Sequence, residues 1–165
     1  MLNRLLSIKI KNRIKLIHKV AQNPIYYQNK LLYNNLKIAN NTLFGKTHKL
    51  NDIKNYRQFS QNIPLYNYND LKQYIDKAKQ SEKNILWPGK TKWFAKSSGT
   101  TNHKSKFIPI TDASLRECHF KGGRDMLAIY LHRQPESKLF SGKSLIIGGS
   151  TELTKTYNYH FGDLS

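Results

Sequence analysis

Five consecutive small residues, Ser97-Ser98-Gly99-Thr100-Thr101, with Lys106 shortly after them, hold the parts of an anion cradle. The four hydroxyls can donate to phosphate oxygens. Gly99 lets the backbone approach closely and take a positive φ. Successive N–H groups in such a turn form a concavity for anions, and Lys106 adds a point charge. The chemistry would be the holding of a polyphosphate. An ordinary hairpin turn rich in Ser, Thr and Gly has the same composition, so both readings stand on these residues alone.

The flanking sequence says what must position such a loop. Lys92-Trp93-Phe94-Ala95 is short and apolar-aromatic, as a buried strand is. Phe107-Ile108-Pro109-Ile110 reads as a second strand, and Pro109 assigns it to an edge or an end. The loop is then the tip of a hairpin-like flap.

Upstream, Leu2, Leu6, Ile10, Ile14, Ile17 and Ala21 recur at helical spacing and predict one amphipathic helix. Asn23-Pro24 ends it and starts a second, whose stripe is Ile25, Leu32, Leu36 and Ala39. Phe44-Gly45-Lys46 reads as a turn, 52–59 as a short helix, and Ile63 to Tyr66 as extended. Asn69 or Asp70 is expected to cap a helix lined by Leu71, Tyr74, Ile75 and Ala78. Asn84 to Trp87 reads as extended, before a turn at Pro88-Gly89.

Beyond the loop, Thr111-Asp112 predicts the start of a long helix to about His132. Leu115, Cys118, Gly122, Met126 and Ile129 line it, so Cys118 is expected to be a small buried hydrophobe. Gly122-Gly123 costs roughly 1 kcal/mol of helix propensity per glycine, which calls for close packing or a kink. Ser144 to Ile147 reads as a buried strand and Gly148-Gly149-Ser150 as a tight turn. The expected fold class is α/β: a helical N-terminal region over 1–82, then the start of an α/β domain over 83–165.

Composition narrows the function classes. The chain has 165 residues and a net charge of +18, and its first 60 residues carry twelve lysines and arginines against one acid, Asp52. Such a field attracts nucleotide, nucleic-acid or lipid phosphates, although an AT-rich codon bias toward Lys and Asn produces similar counts. Seven tyrosines, Tyr26, Tyr27, Tyr33, Tyr56, Tyr66, Tyr68 and Tyr74, interleave with the lysines as they do in single-strand binders. Tyr33 and Tyr74 fall near apolar stripes, and no familiar nucleic-acid motif is present. Cys118 is the single cysteine, which excludes an intrachain disulfide. No apolar run is long enough to span a membrane, so a cytoplasmic setting is expected.

The six histidines show no metal-ligand spacing, and His103 within the loop reads as incidental. Asp112, Glu117, Asp125 and Glu152 read as caps and solvated charges. Phe140-Ser141-Gly142-Lys143-Ser144 lacks the first glycine of a P-loop and precedes a strand rather than a helix.

An ordered series of segments resembles the Gretchen Hagen family of acyl acid–amido synthetases, and most closely its bacterial branch. It comprises Trp87-Pro88-Gly89, Phe94 to Thr101, Lys104 to Pro109, Cys118 to Asp125, Leu139 to Lys143, Gly148 to Ser150 and Phe161 to Ser165, with Phe44-Gly45 and Ile63 to Tyr66 upstream. The resemblance implies formation of an acyl-adenylate from a carboxylic acid and ATP, with Mg²⁺, and its capture by an amine or amino acid. It implies that Ser97, Ser98, Gly99, Thr100, Thr101 and Lys106 hold the ATP phosphates. It also implies the N-terminal part of a longer enzyme, inactive alone and completed by a C-terminal part or a complementing chain. The alternative is a small basic module for nucleic acid or an anionic surface.

Overall fold

A computed structural model of the chain describes residues 2–97, 105–139, 143 and 152–163. They fall into two compact units, Met1–Tyr27 with Asp112–Ile147, and Gln28–Thr111 with Gly148–Ser165. Helices accompany a small mixed sheet, the α/β class expected from the sequence.

The second unit is built on four short strands, β1 (Trp93–Lys96), β2 (Phe107–Ile110), β3 (Leu153–Lys155) and β4 (His160–Asp163), ordered β2-β1-β4-β3. β1 pairs antiparallel with β2 and parallel with β4, and β3 pairs antiparallel with β4. β2 is an edge strand, as Pro109 requires. The β3–β4 hairpin is not legible in the sequence, because three- and four-residue strands containing Thr, Lys and Gly show no alternation long enough to score.

Directly paired residues share a face of a sheet. Phe94 pairs with Phe161, and Phe107, opposite Lys96, falls on the same face because Lys96 is two residues from Phe94; α5 (Tyr68–Lys79) supplies Tyr74, Ile75 and Ala78 to the same core. The α5 stripe is the one expected, but its cap is not: Asn67, two residues earlier, accepts from the backbone N–H groups of Asn69 and Asp70. Asp70 accepts in return from the Asn67 N–H, completing a capping box.

A second cluster joins Leu36 and Ala39 of α2 (Pro24–Ala39) to Leu50 and Ile53. The expected turn at Phe44-Gly45-Lys46 is instead a short helix, α3 (Leu43–Thr47). The fully buried Thr42 caps it, donating to the Ala39 carbonyl and accepting from the Gly45 N–H. A Cβ on Gly45 would sit 2.1 Å from the Ala39 carbonyl oxygen, so only glycine fits. The helix expected over 52–59 divides into a 3₁₀ turn, Leu50–Asp52, and α4 (Tyr56–Asn62), capped by Asn55.

Asn84 to Trp87 is not extended. Residues 84–89 form a loop clipped by the Lys83–Lys90 bridge, with Asn84 at φ 57° and Gly89 at φ 88°. The Asn84 side chain accepts from the Gly89 N–H. The carbonyls of Asn84 and Ile85 accept from Leu43 and Phe44 at the start of α3. Satisfying those helix donors outweighs an extended conformation.

In the first unit α1 (Leu2–Gln22) packs against α7 (Phe120–Arg133), which follows α6 (Asp112–Ser114) and a π-helical turn (Leu115–His119). The long helix is present where expected, but its stripe is not. Met126 is 65% exposed and Cys118 is exposed, whereas Ala128 is buried. The π turn inserts extra residue per turn and shifts the phase of everything after it. Nothing among the described residues approaches within 4 Å of a Cβ at Gly122 or Gly123, so the distortion lies in the preceding turn rather than at the glycine pair. Asp125 is not a solvated charge: it forms a bidentate pair with Arg13. Tyr33 is exposed rather than core, while Tyr74 is buried. The strand expected over 144–147 and the turn over 148–150 lie outside the described residues.

Candidate functional site

The β1–β2 hairpin presents the hydroxyl-rich loop, and its register fixes where the loop starts. Lys96 lies opposite Phe107, so the next residues, Ser97 and Lys106, face one another. The Ser97 N–H donates to the Lys106 carbonyl at 2.9 Å. The Lys106 N–H donates to Ser97 Oγ at 3.3 Å. Ser97 and Lys106, far apart in a linear list of candidates, thus close the mouth together. Ser98, Gly99, Thr100 and Thr101, with His103, lie outside the described residues.

α5 braces the returning strand. The Tyr68 hydroxyl accepts from the Phe107 N–H at 2.9 Å, satisfying a donor on an edge strand. The Phe107 ring lies edge-on to Phe161, 5.3 Å between centroids, and to Tyr159 at 6.2 Å. Phe94, 2% exposed, contacts Tyr159 edge-on at 5.1 Å.

Three ammonium groups surround this aromatic patch. Lys79 Nζ lies 4.1 Å from the Phe107 ring centroid and 5.2 Å from that of Tyr159. Lys96 Nζ lies 5.9 Å from the Phe161 centroid, and Lys106 Nζ 5.8 Å from that of Tyr68. Among the described residues none of the three forms an ion pair, while their neighbours Lys72 and Lys77 pair with Asp76 and Glu82. A cation held on ring faces keeps its charge available to an anion. Lys79 and Lys96 are not among the residues the sequence singles out, and Tyr68 is singled out there only among the tyrosines of the nucleic-acid alternative. Lys96 adjoins the loop and could have been added; Tyr68 and Lys79 reach it only through the docking of α5 on β2.

Elsewhere in this unit, an open cleft of about 280 Å³ is lined by Thr47, His48, Lys49, Asp52, Ile53 and Asn62. His48 Nε2 is 2.9 Å from the Tyr66 hydroxyl, and desolvation raises the Tyr66 pKa, with smaller contributions from Tyr74 and Asp70. The described residues contain no group of three His, Cys, Asp or Glu side chains arranged to hold a metal. The loop mouth offers cations and rings rather than carboxylates, so the described residues do not by themselves fit a Mg²⁺ ion, which seeks oxygen ligands. No described helix is long and apolar enough to cross a membrane.

A small mixed sheet with helices, whose β1–β2 hairpin has the Ser-Ser-Gly-Thr-Thr sequence between its strands, defines the class of structure. Residues 13–161 match the GH3 family N-terminal domain, and the chain belongs to that family. It is also similar to an indole-3-acetic acid-amido synthetase, GH3.4, of Arabidopsis thaliana. The two are 27% identical over 120 residues, covering 72% of this chain and 20% of the plant protein. The chain therefore spans about a fifth of that relative's length.

Proposed function

We propose that this chain is the N-terminal part of an ATP-dependent amido synthetase of the bacterial branch of the family, working in the cytoplasm. In this reading a carboxylate oxygen of the acid attacks the α-phosphorus of ATP, and the bond to pyrophosphate breaks. The acyl carbon of the resulting acyl-adenylate is then attacked by an amine or amino acid. The amide bond forms and AMP leaves with the electron pair.

The observation that carries the proposal is the hairpin of a family member whose mouth is closed by Ser97 and Lys106. Ser97, Ser98, Gly99, Thr100, Thr101 and Lys106 bind the phosphates, and their N–H, hydroxyl and ammonium groups stabilise charge growing on pyrophosphate. Mg²⁺ would arrive with the nucleotide, bound chiefly by its phosphates. The remaining substrate contacts belong to a C-terminal part or a complementing chain, and the fragment alone is expected to catalyse no turnover. Residues 1–82 serve as its helical region and 83–165 as the start of the adenylation domain.

Equilibrium binding of ATP to the chain and to the double variant Ser98→Ala, Gly99→Val tests this. Loss of binding in the variant supports the phosphate role, and equal binding refutes it. Exposed Lys15, Lys19 and Lys37 on α1 and α2 favour the second reading, a basic binder of nucleic acid or anionic surfaces. That reading requires single-stranded RNA or anionic vesicles to bind more tightly than ATP, with affinity falling steeply as salt rises.

A further inference from the structure

Asp52 is the single acid among the first 60 residues, which hold twelve lysines and arginines. Its carboxylate nevertheless forms no ion pair and no hydrogen bond among the described residues. The same holds for the ammonium group of Lys49, the residue that opens the 3₁₀ turn Asp52 ends. The Asp52 N–H donates to the Lys49 carbonyl at 2.9 Å, so one turn carries both charges. Both residues line the open cleft of about 280 Å³, together with Ile53 and Asn62. Ile53 is 3% exposed and packs with Leu36, Ala39 and Leu50, which gives the cleft a fixed apolar wall. His48, also in the lining, is held by the Tyr66 hydroxyl and by the Phe44 ring, 4.3 Å between centroids. Lys49 sits at φ 49° and ψ 46°, a left-handed backbone that asparagine or glycine adopts more readily.

We propose that this cleft binds a small zwitterion, with an ammonium and a carboxylate close together beside an apolar side chain; a free α-amino acid is the simplest such molecule. Lys49 takes the carboxylate, Asp52 the ammonium and Ile53 the side chain. A plain anion meets the repulsion of Asp52, and a plain cation that of Lys49. Only a ligand carrying both charges gains from each. A metal ion would lack a third ligand among the described residues. Every residue assigned to the ligand lies between Lys49 and Ile53, so this site stands or falls independently of the phosphate reading of the β1–β2 loop.

The probe is L-leucine, titrated into the isotope-labelled chain and followed through its backbone amide resonances. Saturable shifts concentrated at 47–53 and at 62 are expected. N-acetyl-L-leucine, which lacks the ammonium, and isoamylamine, which lacks the carboxylate, should each bind about fivefold more weakly, the effect of one charge pair that water still reaches. Asp52→Asn should weaken leucine by about the same factor and leave N-acetyl-L-leucine no weaker. Lys49→Asn should weaken leucine equally and leave isoamylamine no weaker. Asparagine suits the left-handed backbone, so the Lys49→Asn melt should be no lower than that of the unaltered chain.

The inference fails if leucine produces no saturable shift at 47–53. It fails if the three probes bind alike, since the cleft then reads only the apolar side chain. It fails if either variant leaves leucine binding unchanged. It fails also if a variant weakens leucine and the probe lacking the partner charge by the same factor, because the cleft has then collapsed rather than lost a charge.

Discussion

The two units of the chain hold themselves together differently. The unit carrying the sheet buries Leu36, Ala39, Leu50, Ile53, Tyr74, Ile75, Ala78, Ile85 and Phe94 to below a tenth of their surface. Among the described residues, the helical unit buries only Ile14 and Ala128 to that degree and adds the Arg13–Asp125 pair. Its Phe120, Met126 and Tyr130 remain largely exposed. Apolar burial is proportional to area and tolerant of direction, whereas a bidentate ion pair is directional and depends on pH. The β1–β2 hairpin belongs to the unit with the larger apolar core among the described residues, and the phosphate reading proposed above needs such a support.

The sharpest way to break this contrast is Phe94→Ala. A nearly fully buried ring lost from the sheet core should cost about 3–5 kcal/mol, read as a fall in the urea midpoint. Gly45→Ala should cost about 3 kcal/mol through forced displacement of backbone, although it removes no contact. An effect below about 0.5 kcal/mol, the range of ordinary surface changes, would mean that the α2–α3 corner has room that the geometry denies.

Asp125→Asn addresses the other unit, and should cost about 1–3 kcal/mol at neutral pH for a charge-assisted pair whose side chains are 24% and 28% exposed. The hydrogen bond from Arg13 holds the Asp125 carboxyl below its ordinary value of 3.8. Its contribution is therefore present above about pH 4 and is lost as pH falls through the lowered folded-state value. Acid titration of the melt should show this loss in the native chain and not in Asp125→Asn. Cys118→Ser should be the mildest change, within about 0.5 kcal/mol, because the thiol is exposed.

The same contrast explains what the sequence revealed. The α5 stripe was legible because a regular helix packs one face on a sheet, and Tyr74, Ile75 and Ala78 are buried as their spacing requires. The α7 stripe misled because the π turn at Leu115–His119 resets the phase, leaving Cys118 and Met126 in solvent. Phe44-Gly45-Lys46 reads as a turn because a five-residue helix carries no period, and its first N–H groups are satisfied by the distant carbonyls of Asn84 and Ile85. The β1–β2 hairpin is readable from two short apolar runs, but the meeting of Ser97 with Lys106 comes from the register, which the sequence does not set. The partners that only the fold supplies, Tyr68 and Lys79, were not readable, because no local pattern links α5 to β2.

The central claim is that the Ser97–Lys106 loop, and not the basic helices, receives phosphate. A titration of the isotope-labelled chain with ATP, followed through its backbone amide resonances, tests it most directly. Saturable shifts concentrated at 96–107 and in the adjoining β1 and β2 residues are the predicted result. Shifts confined to the lysine-rich stretches of α1 and α2, with the hairpin unmoved, would contradict it.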